Sequence, residues 1–362
     1  MSIISANHIG GALRAVIVAI AVVVMMASCD VHEFPDECYE PTVDTVDTVV
    51  VEDTGIDVVL QLDYSTELPL YQEVEYTKTR SSDNGYCVRY LINIYEPESD
   101  GSYGREYSRQ IIVTDDDITR LDTCLTINME EEGEYKFIVW TDYVDYGSQA
   151  DKYYDTSDFA EIALTVEYEG STDYRDAFKG TTTATIYEGC DTVPVSMERP
   201  LAKFEFITTD LDRFIEKVAA LQSAQDETRG NTEAKSVDID LDDYSVVIAY
   251  TAYMPYSFNI FTDRPADSVT GMYFYGSIEE NSDTEASLGF DYVFVNGIET
   301  SVQTALYVYD KSGTLIASTD VISVPLLRSH LTTVYGEFLT SEASGGVGIN
   351  PDYDGEYNIE IK

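Results

Sequence analysis

Apolar and polar residues alternate along most of this chain. In IDVVLQLDY, residues 56–64, Ile56, Val58, Leu60, Leu62 and Tyr64 fall on one face, against Asp57, Gln61 and Asp63 on the other. This is the period of a half-buried strand. YCVRYLINIYE, RQIIVT, RLDTCLTINM, GEYKFIVWTDYV and FAEIALTVEYEG repeat the pattern, separated by turn-forming clusters such as SSDNG and ESDGSYG. Many short strands punctuated in this way predict an antiparallel β-sandwich.

A second unit opens near VPVSMERPLAKFEFITTDL. The strand AKFEFIT runs into the one good helical pattern, with Leu211, Phe214, Ile215, Val218 and Leu221 at helical spacing and Thr209 and Asp212 placed as a capping box. A polar loop, SAQDETRGNTEAKS, ends it, and strands resume with DYSVVIAYTAY, YSFNIFT, GMYFYGSI, SLGFDYVFVNG, QTALYVYDKSG, TLIASTDVISV and HLTTVYGEFLT. The expected fold class is all-β. Two tandem sandwiches are expected, residues 55–198 and 199–362, the second carrying one α-helix.

The first residues break the alternation. Arg14 is the only charged side chain among residues 1–28, and the apolar run from Ala15 to Ala27 leads to Ser28 and Cys29. A charged start, an apolar run and a small-residue site are the layout of a cleaved secretory signal. The run is shorter than the roughly 20 apolar residues that cross a bilayer, so a retained anchor is the lesser alternative. Residues 29–54 are acidic and partly repetitive (PTVDTVDTVVVEDTG), as suits an extended tether, although Val46–Val51 also reads as a first strand.

Charge narrows the function classes. The chain has 21 basic and 67 acidic residues, a formal charge of −46, which repels nucleic acid and argues against a nucleic-acid binder. Disorder is not implied, because 44% of residues are hydrophobic and 29 are tyrosines. Beyond Cys29, four cysteines (Cys38, Cys87, Cys124, Cys190) permit disulfides in an oxidising compartment, with connectivity open.

Candidate chemistry is sparse. No G-x-S-x-G elbow, H-E-x-x-H pair or P-loop is present, so no enzyme is expected, and acids are too many for a catalytic pair to stand out. His330 reads as structural. Trp140 alternates with Lys136, Ile138 and Asp142. It is read as core if both faces of its strand are covered, and as a sugar-stacking platform if it points outward. Tyr146, Tyr153 and Tyr154, in DYGSQADKYYD, are candidate ligand contacts on a loop. Asn350, Asp352, Asp354 and Gly355 mimic the start of an EF-hand, but Ile361 stands where its glutamate belongs. A plain turn is favoured there, with a looser structural calcium site as the alternative. Asp115–Asp117 read as a solvated loop. No other cofactor is expected.

Several stretches carry a family look. The small residues before Cys29 resemble a bacterial lipobox, with Met26 where leucine is usual. CDVHEFP, VWTDYVDYG, YRDAFKG, MERPLAKFEFITTDL, YMPYSFNIFTDRPADS, LGFDYVFVNG, VPLLRSHLTTVYGEFLT and GVGINPDYDGEYNIEI together resemble a family of Bacteroidales lipoproteins akin to the fimbrillin-like superfamily. The lipobox resemblance implies acylation of Cys29 and an outer-membrane, surface-exposed lipoprotein. The fimbrillin resemblance implies two transthyretin-like sandwiches and a role in adhesion beside fimbriae. Stalk subunits of that superfamily are cut after an early arginine. Here the only early basic site, Lys78–Arg80, lies beyond the first clear strand, which suits an uncut anchor or accessory subunit with fimbrial partners. The alternative is a lipoprotein that binds a surface glycan or host ligand.

Overall fold

The computed structural model describes residues 55–66, 68, 85–118, 121–165, 168–190, 192–228, 239–297, 299–341, 347–349 and 358–361. The segments expected to be signal, lipidation site and tether, including Cys29 and Cys38, lie outside them. So do Asn350, Asp352 and Asp354.

The N-terminal half builds a seven-stranded sheet from β1 (Ile56–Tyr64), β2 (Tyr86–Tyr95), β3 (Arg109–Asp115), β4 (Cys124–Met129), β5 (Gly133–Asp145), β6 (Phe178–Ile186) and β7 (Thr192–Glu198), in the order β3-β2-β5-β6-β7-β1-β4. Val58, Leu60 and Leu62 of β1, Tyr90 and Ile92 of β2, Phe137 and Val139 of β5 and Val195 of β7 meet in one buried cluster. Strand alternation makes this possible, since every second side chain shares a face.

In the C-terminal half β8 (Leu201–Thr208) leads into α1 (Leu211–Thr228), followed by β9 (Tyr244–Tyr250), β10 (Tyr273–Gly276), β11 (Ala286–Phe294), β12 (Thr300–Asp310), β13 (Leu315–Ser318), β14 (Ile322–Leu326), β15 (Leu331–Gly336) and β16 (Asn358–Ile361). One sheet contains the run β11-β8-β15-β16; the other runs β10-β9-β12-β13, with β14 also paired to β12. Phe204 and Phe206 of β8, Val246 and Ile248 of β9, Leu306 and Val308 of β12 and Phe214 of α1 are buried together. The chain is thus mostly strand with one long helix among the described residues, as its periodicity predicts.

Three expectations are modified. Most strand pairs are antiparallel, but β1 pairs with β7, β8 with β15 and β15 with β16 in parallel. Long intervening connections allow these returns, which a tight hairpin cannot make. The capping box at α1 does not form: the Thr209 hydroxyl donates to the Gly336 carbonyl instead, and Asp212 accepts from the Arg213 amide. Asp210 faces the 339–340 turn and accepts from the Thr340 amide at 2.8 Å and its hydroxyl at 2.6 Å.

The third concerns the two halves. The described residues within 52–362 cluster as one compact unit. Leu91, Tyr95, Ile138 and Trp140, on the outer face of β2 and β5, belong to the same buried cluster as Phe204 and Phe294. Both faces of β2 and β5 are therefore covered, which explains their near-continuous burial. A small sheet also crosses the expected boundary, with Phe258 paired to Ile162 and Ser257 to Ala163.

Ion pairs stitch the same boundary. In the turn before β6, Asp173 meets Lys203 at 2.8 Å, Arg175 meets Asp291 of β11, and Asp176 takes a bidentate bond from Arg199 at 2.8 and 2.9 Å. The Arg175–Asp291 pair is fully buried. Its carboxylate also accepts from the hydroxyls of Tyr168 and Tyr250, and the guanidinium lies 4.4 Å from the Tyr168 ring centre. Burial pushes the Asp291 carboxyl up against the opposing pull of Arg175. Such a pair is a poor source of net stability, but losing one partner strands a buried charge. At the boundary's edge, Asp263 is held by Arg328 at 2.8 Å and Lys179 at 2.7 Å.

Asp291→Asn is expected to cost about 3–5 kcal/mol in denaturant unfolding, and the joint replacement Arg175→Met with Asp291→Leu to recover a large part of it. Asp263 gives a pH signature. Burial raises its pKa, but the bonds from Arg328 and Lys179 outweigh burial and hold it below the ordinary value. A depressed carboxylate stabilises the fold above its unfolded pKa of about 3.9 and loses that contribution as pH falls through the folded value. The stability gap between wild type and Asp263→Asn should hold steady at neutral pH and shrink below about pH 4.

Candidate ligand-binding site

The outer face of the β10-β9-β12 sheet carries the site. In β9 the even residues Tyr244, Val246, Ile248 and Tyr250 point into the core, so Ser245, Val247 and Ala249 face out. In β10, Phe274 is buried between Tyr273 and Tyr275, which are 51% and 65% exposed. In β12, Leu306 and Val308 are buried while Tyr307 and Tyr309 remain half-buried on the outer side.

Register then sets the walls and the floor. Val247 pairs with Tyr275 on one side and Tyr307 on the other; Ser245 pairs with Tyr309, and Ala249 with Tyr273. Two tyrosines of β10 thus face two of β12 across a central strand of small residues. Neighbouring strands lie about 4.8 Å apart, so the walls stand roughly 10 Å from each other. The result is an open trough of about 680 Å³, lined also by Gly271 and Met272 and by Asp310, Lys311 and Gly313. Tyr273 and Tyr275 meet edge to face with ring centres 5.8 Å apart, so each ring steadies the other.

Charge concentrates where β12 turns. Asp310 Oδ1 accepts from the Ser312 amide at 2.8 Å, the Ser312 hydroxyl at 2.6 Å and the Thr314 amide at 2.9 Å. Led by the Ser312 hydroxyl, these bonds hold its carboxyl below the usual carboxylate range. Lys311 is tied to Asp243 at 2.5 Å.

Exposed tyrosines on small-residue ground offer flat apolar faces with hydroxyls at their tips. That combination supplies stiff contact area at low entropic cost together with hydrogen bonding.

The residues singled out from the sequence are not brought together in this way. Trp140 is fully buried, its ring edge-on to Tyr154 and its indole N–H donating to Asp142 at 3.1 Å, so it is core and no platform. Asp142 in turn holds Arg89 through two bonds of 2.9 and 2.6 Å. Tyr153 and Tyr154 are buried as well, because the loop carrying them folds onto β2 and β5 and feeds the shared core. Tyr146 alone of the group is exposed, at 56%. Cys87 and Cys190 carry free thiols and Cys124 is disulfide-bonded. His330 lies with Nδ1 2.7 Å from the Arg328 carbonyl, in a turn. Asp115 accepts from the Asp117 amide at 3.0 Å. No group of three or more His, Cys, Asp or Glu side chains among the described residues is arranged to hold a metal ion.

Residues 54–362 match the model of a family of unknown function, DUF6562. The chain belongs to that family. No curated protein matches this DUF6562 sequence. Among solved structures it is similar to a candidate cell adhesion protein from Bacteroides eggerthii, at 12% identity and a TM-score of 0.41, over 85% of this chain and 95% of the other. It is similar to the fimbrial anchor protein Mfa2 from Porphyromonas gingivalis, at 13% identity and a TM-score of 0.35, over 74% and 82%. A candidate polysaccharide-binding protein from Bacteroides thetaiotaomicron matches at 10% identity and a TM-score of 0.38, over 73% and 79%.

Tyr273 and Tyr275 are largely exposed, so folding is expected to tolerate their loss. Tyr275→Ala should shift unfolding free energy by no more than about 0.5 kcal/mol, whereas Trp140→Ala should cost about 3–5 kcal/mol, both read from denaturant melts.

Proposed function

We propose that this DUF6562 protein is a non-enzymatic adhesion protein that binds a saccharide chain in the tyrosine trough. One observation carries the reading: two Tyr-x-Tyr pairs face each other over a floor of Ser245, Val247 and Ala249. Sugar rings present an apolar C–H face and a polar rim, and a tyrosine wall matches both. Concave sites of this kind bind through apolar walls with a few placed polar groups. Apart from such a site, large apolar side chains in a contiguous exposed patch are uncommon on a soluble surface.

The proposal extends to location. Acylation at Cys29, an outer-membrane lipid anchor and a place beside fimbriae as an accessory or anchor subunit rest on the lipobox-like start and the fimbrillin resemblance. Cys29→Ala should release the protein from the membrane fraction of cells, and a variant that stays membrane-bound would count against the anchor.

The saccharide reading is tested by titrating the protein with linear oligosaccharides in a calorimeter. Saturable binding is expected, and Tyr307→Ala should weaken it about two- to twelvefold, equivalent to the 0.5–1.5 kcal/mol of an aromatic contact. Binding that survives loss of both Tyr275 and Tyr307 would overturn the assignment of the site. A protein captured through the same tyrosines, with no oligosaccharide binding, would replace the saccharide with a protein partner.

A further inference from the structure

The chain has five cysteines, Cys29, Cys38, Cys87, Cys124 and Cys190. Cys124 is disulfide-bonded, whereas Cys87 and Cys190 carry free thiols. The partner of Cys124 is therefore Cys29 or Cys38, both outside the described residues. The surroundings of the two free thiols agree with their being unbonded. Cys87 is sealed in β2, its thiol donating to the Asp145 carbonyl at 3.6 Å. Cys190 closes the turn between β6 and β7, its amide donating to the Tyr187 carbonyl at 2.9 Å.

Cys124 is placed to receive a segment from outside the sheet. It opens β4, the strand at one end of the seven-stranded sheet, and is half-buried. Leu125, Ile127 and Met129 point into the core, so Cys124 shares the outer face with Thr126 and Asn128. Register sets Cys124 beside Gln61, and Met129 beside Ile56 at the start of β1. The bonded sulfur therefore lies about 17 Å along the sheet edge from the start of β1.

Resting on the reading of Cys29 as the lipid-bearing residue, whose sulfur is then taken, we infer that Cys38 and Cys124 form a disulfide that fastens the tether to the edge of the sheet. Forming it removes two protons and two electrons from the two thiols. In an oxidising compartment these pass by thiol–disulfide exchange to the disulfide of an oxidoreductase, which leaves as a dithiol. The bond resets the reach of the anchor. Nine peptide steps separate Cys29 from Cys38, against 27 from Cys29 to Ile56. At about 3.4 Å per fully extended residue, the lipid is held within about 30 Å of the β4 edge, where an unbonded tether reaches about 90 Å from the start of β1. The chain from Cys38 to Ile56 then no longer sets the distance between membrane and fold.

The test uses the full chain, expressed with its own N-terminal segment in cells, with free thiols blocked by a maleimide in denaturant and no reductant present. Digestion after acidic residues cuts at Glu33, Asp36 and Glu37 and so separates Cys29 from Cys38. Mass spectrometry should find a peptide of Cys38 joined to one of Cys124, lost on reduction, with the label on Cys87 and Cys190. In Cys38→Ser the label should appear on Cys124 as well, whether or not the variant folds. Cys29→Ser should keep the Cys38–Cys124 link. Wild-type Cys124 found labelled, or joined to Cys87 or Cys190, would overturn the pairing and leave lipidation of Cys29 standing. A Cys29–Cys124 peptide would overturn both. A Cys38–Cys124 link in a chain whose Cys29 bears no lipid would uphold the pairing and sink the lipid reading.

Discussion

The fold depends on a buried charge pair that joins residues far apart in sequence. Arg175 sits in a turn before β6 and Asp291 in the middle of β11, and their contact is shut away from water beneath Tyr168 and Tyr250. An ion pair in such a place is a constraint more than a source of stability, because desolvation offsets most of its attraction. It fixes one point of contact between the turn before β6 and β11 of the C-terminal half. Asp173–Lys203 and Asp176–Arg199 repeat the constraint from the same turn. Once the turn is locked, Trp140, Ile138 and Leu91 have apolar partners on the outer face of their sheet.

That docking decides which surfaces stay open. The outer faces of β2 and β5 are covered, so the aromatic residues there are core. The outer face of β9, β10 and β12 is open, and its tyrosines stay accessible. The trough is a direct product of period-two alternation: each wall strand buries Phe274 or Val308 between two tyrosines, and the central strand has only small residues on its outer side. Close backbone packing behind β10 supports the wall. A Cβ on Gly276 would stand 1.9 Å from the Leu288 carbonyl oxygen, so only glycine lets β10 approach β11 there.

Much of the secondary structure was legible in the sequence. The alternation of IDVVLQLDY and DYSVVIAYTAY marks β1 and β9, and the spacing from Leu211 to Leu221 marks α1. Alternation says which residues share a face but not whether that face is covered, and this is why Tyr153 and Tyr154 read as loop contacts. The cover comes from contacts distant in sequence: the shared core with Phe204 and Phe294, the pairing of Phe258 with Ile162, and the Arg175–Asp291 pair. The parallel partners of β1 and β8 were hidden for the same reason, since they return from distant sequence. The trough did leave a signal: YFY in GMYFYGSI and YVY in QTALYVYDKSG place two tyrosines on one face of each of two strands. Their register across Val247, which makes them one site, is a property of the folded sheet.

The most direct test of the central claim is an NMR titration of protein labelled at tyrosine rings, with a linear oligosaccharide as probe. Ring resonances of Tyr273, Tyr275, Tyr307 and Tyr309 should shift together along a single saturation curve, while those of Tyr146 and the buried Tyr154 stay fixed. Shifts centred on Tyr146, or spread without saturation over many rings, would contradict the trough as the ligand site.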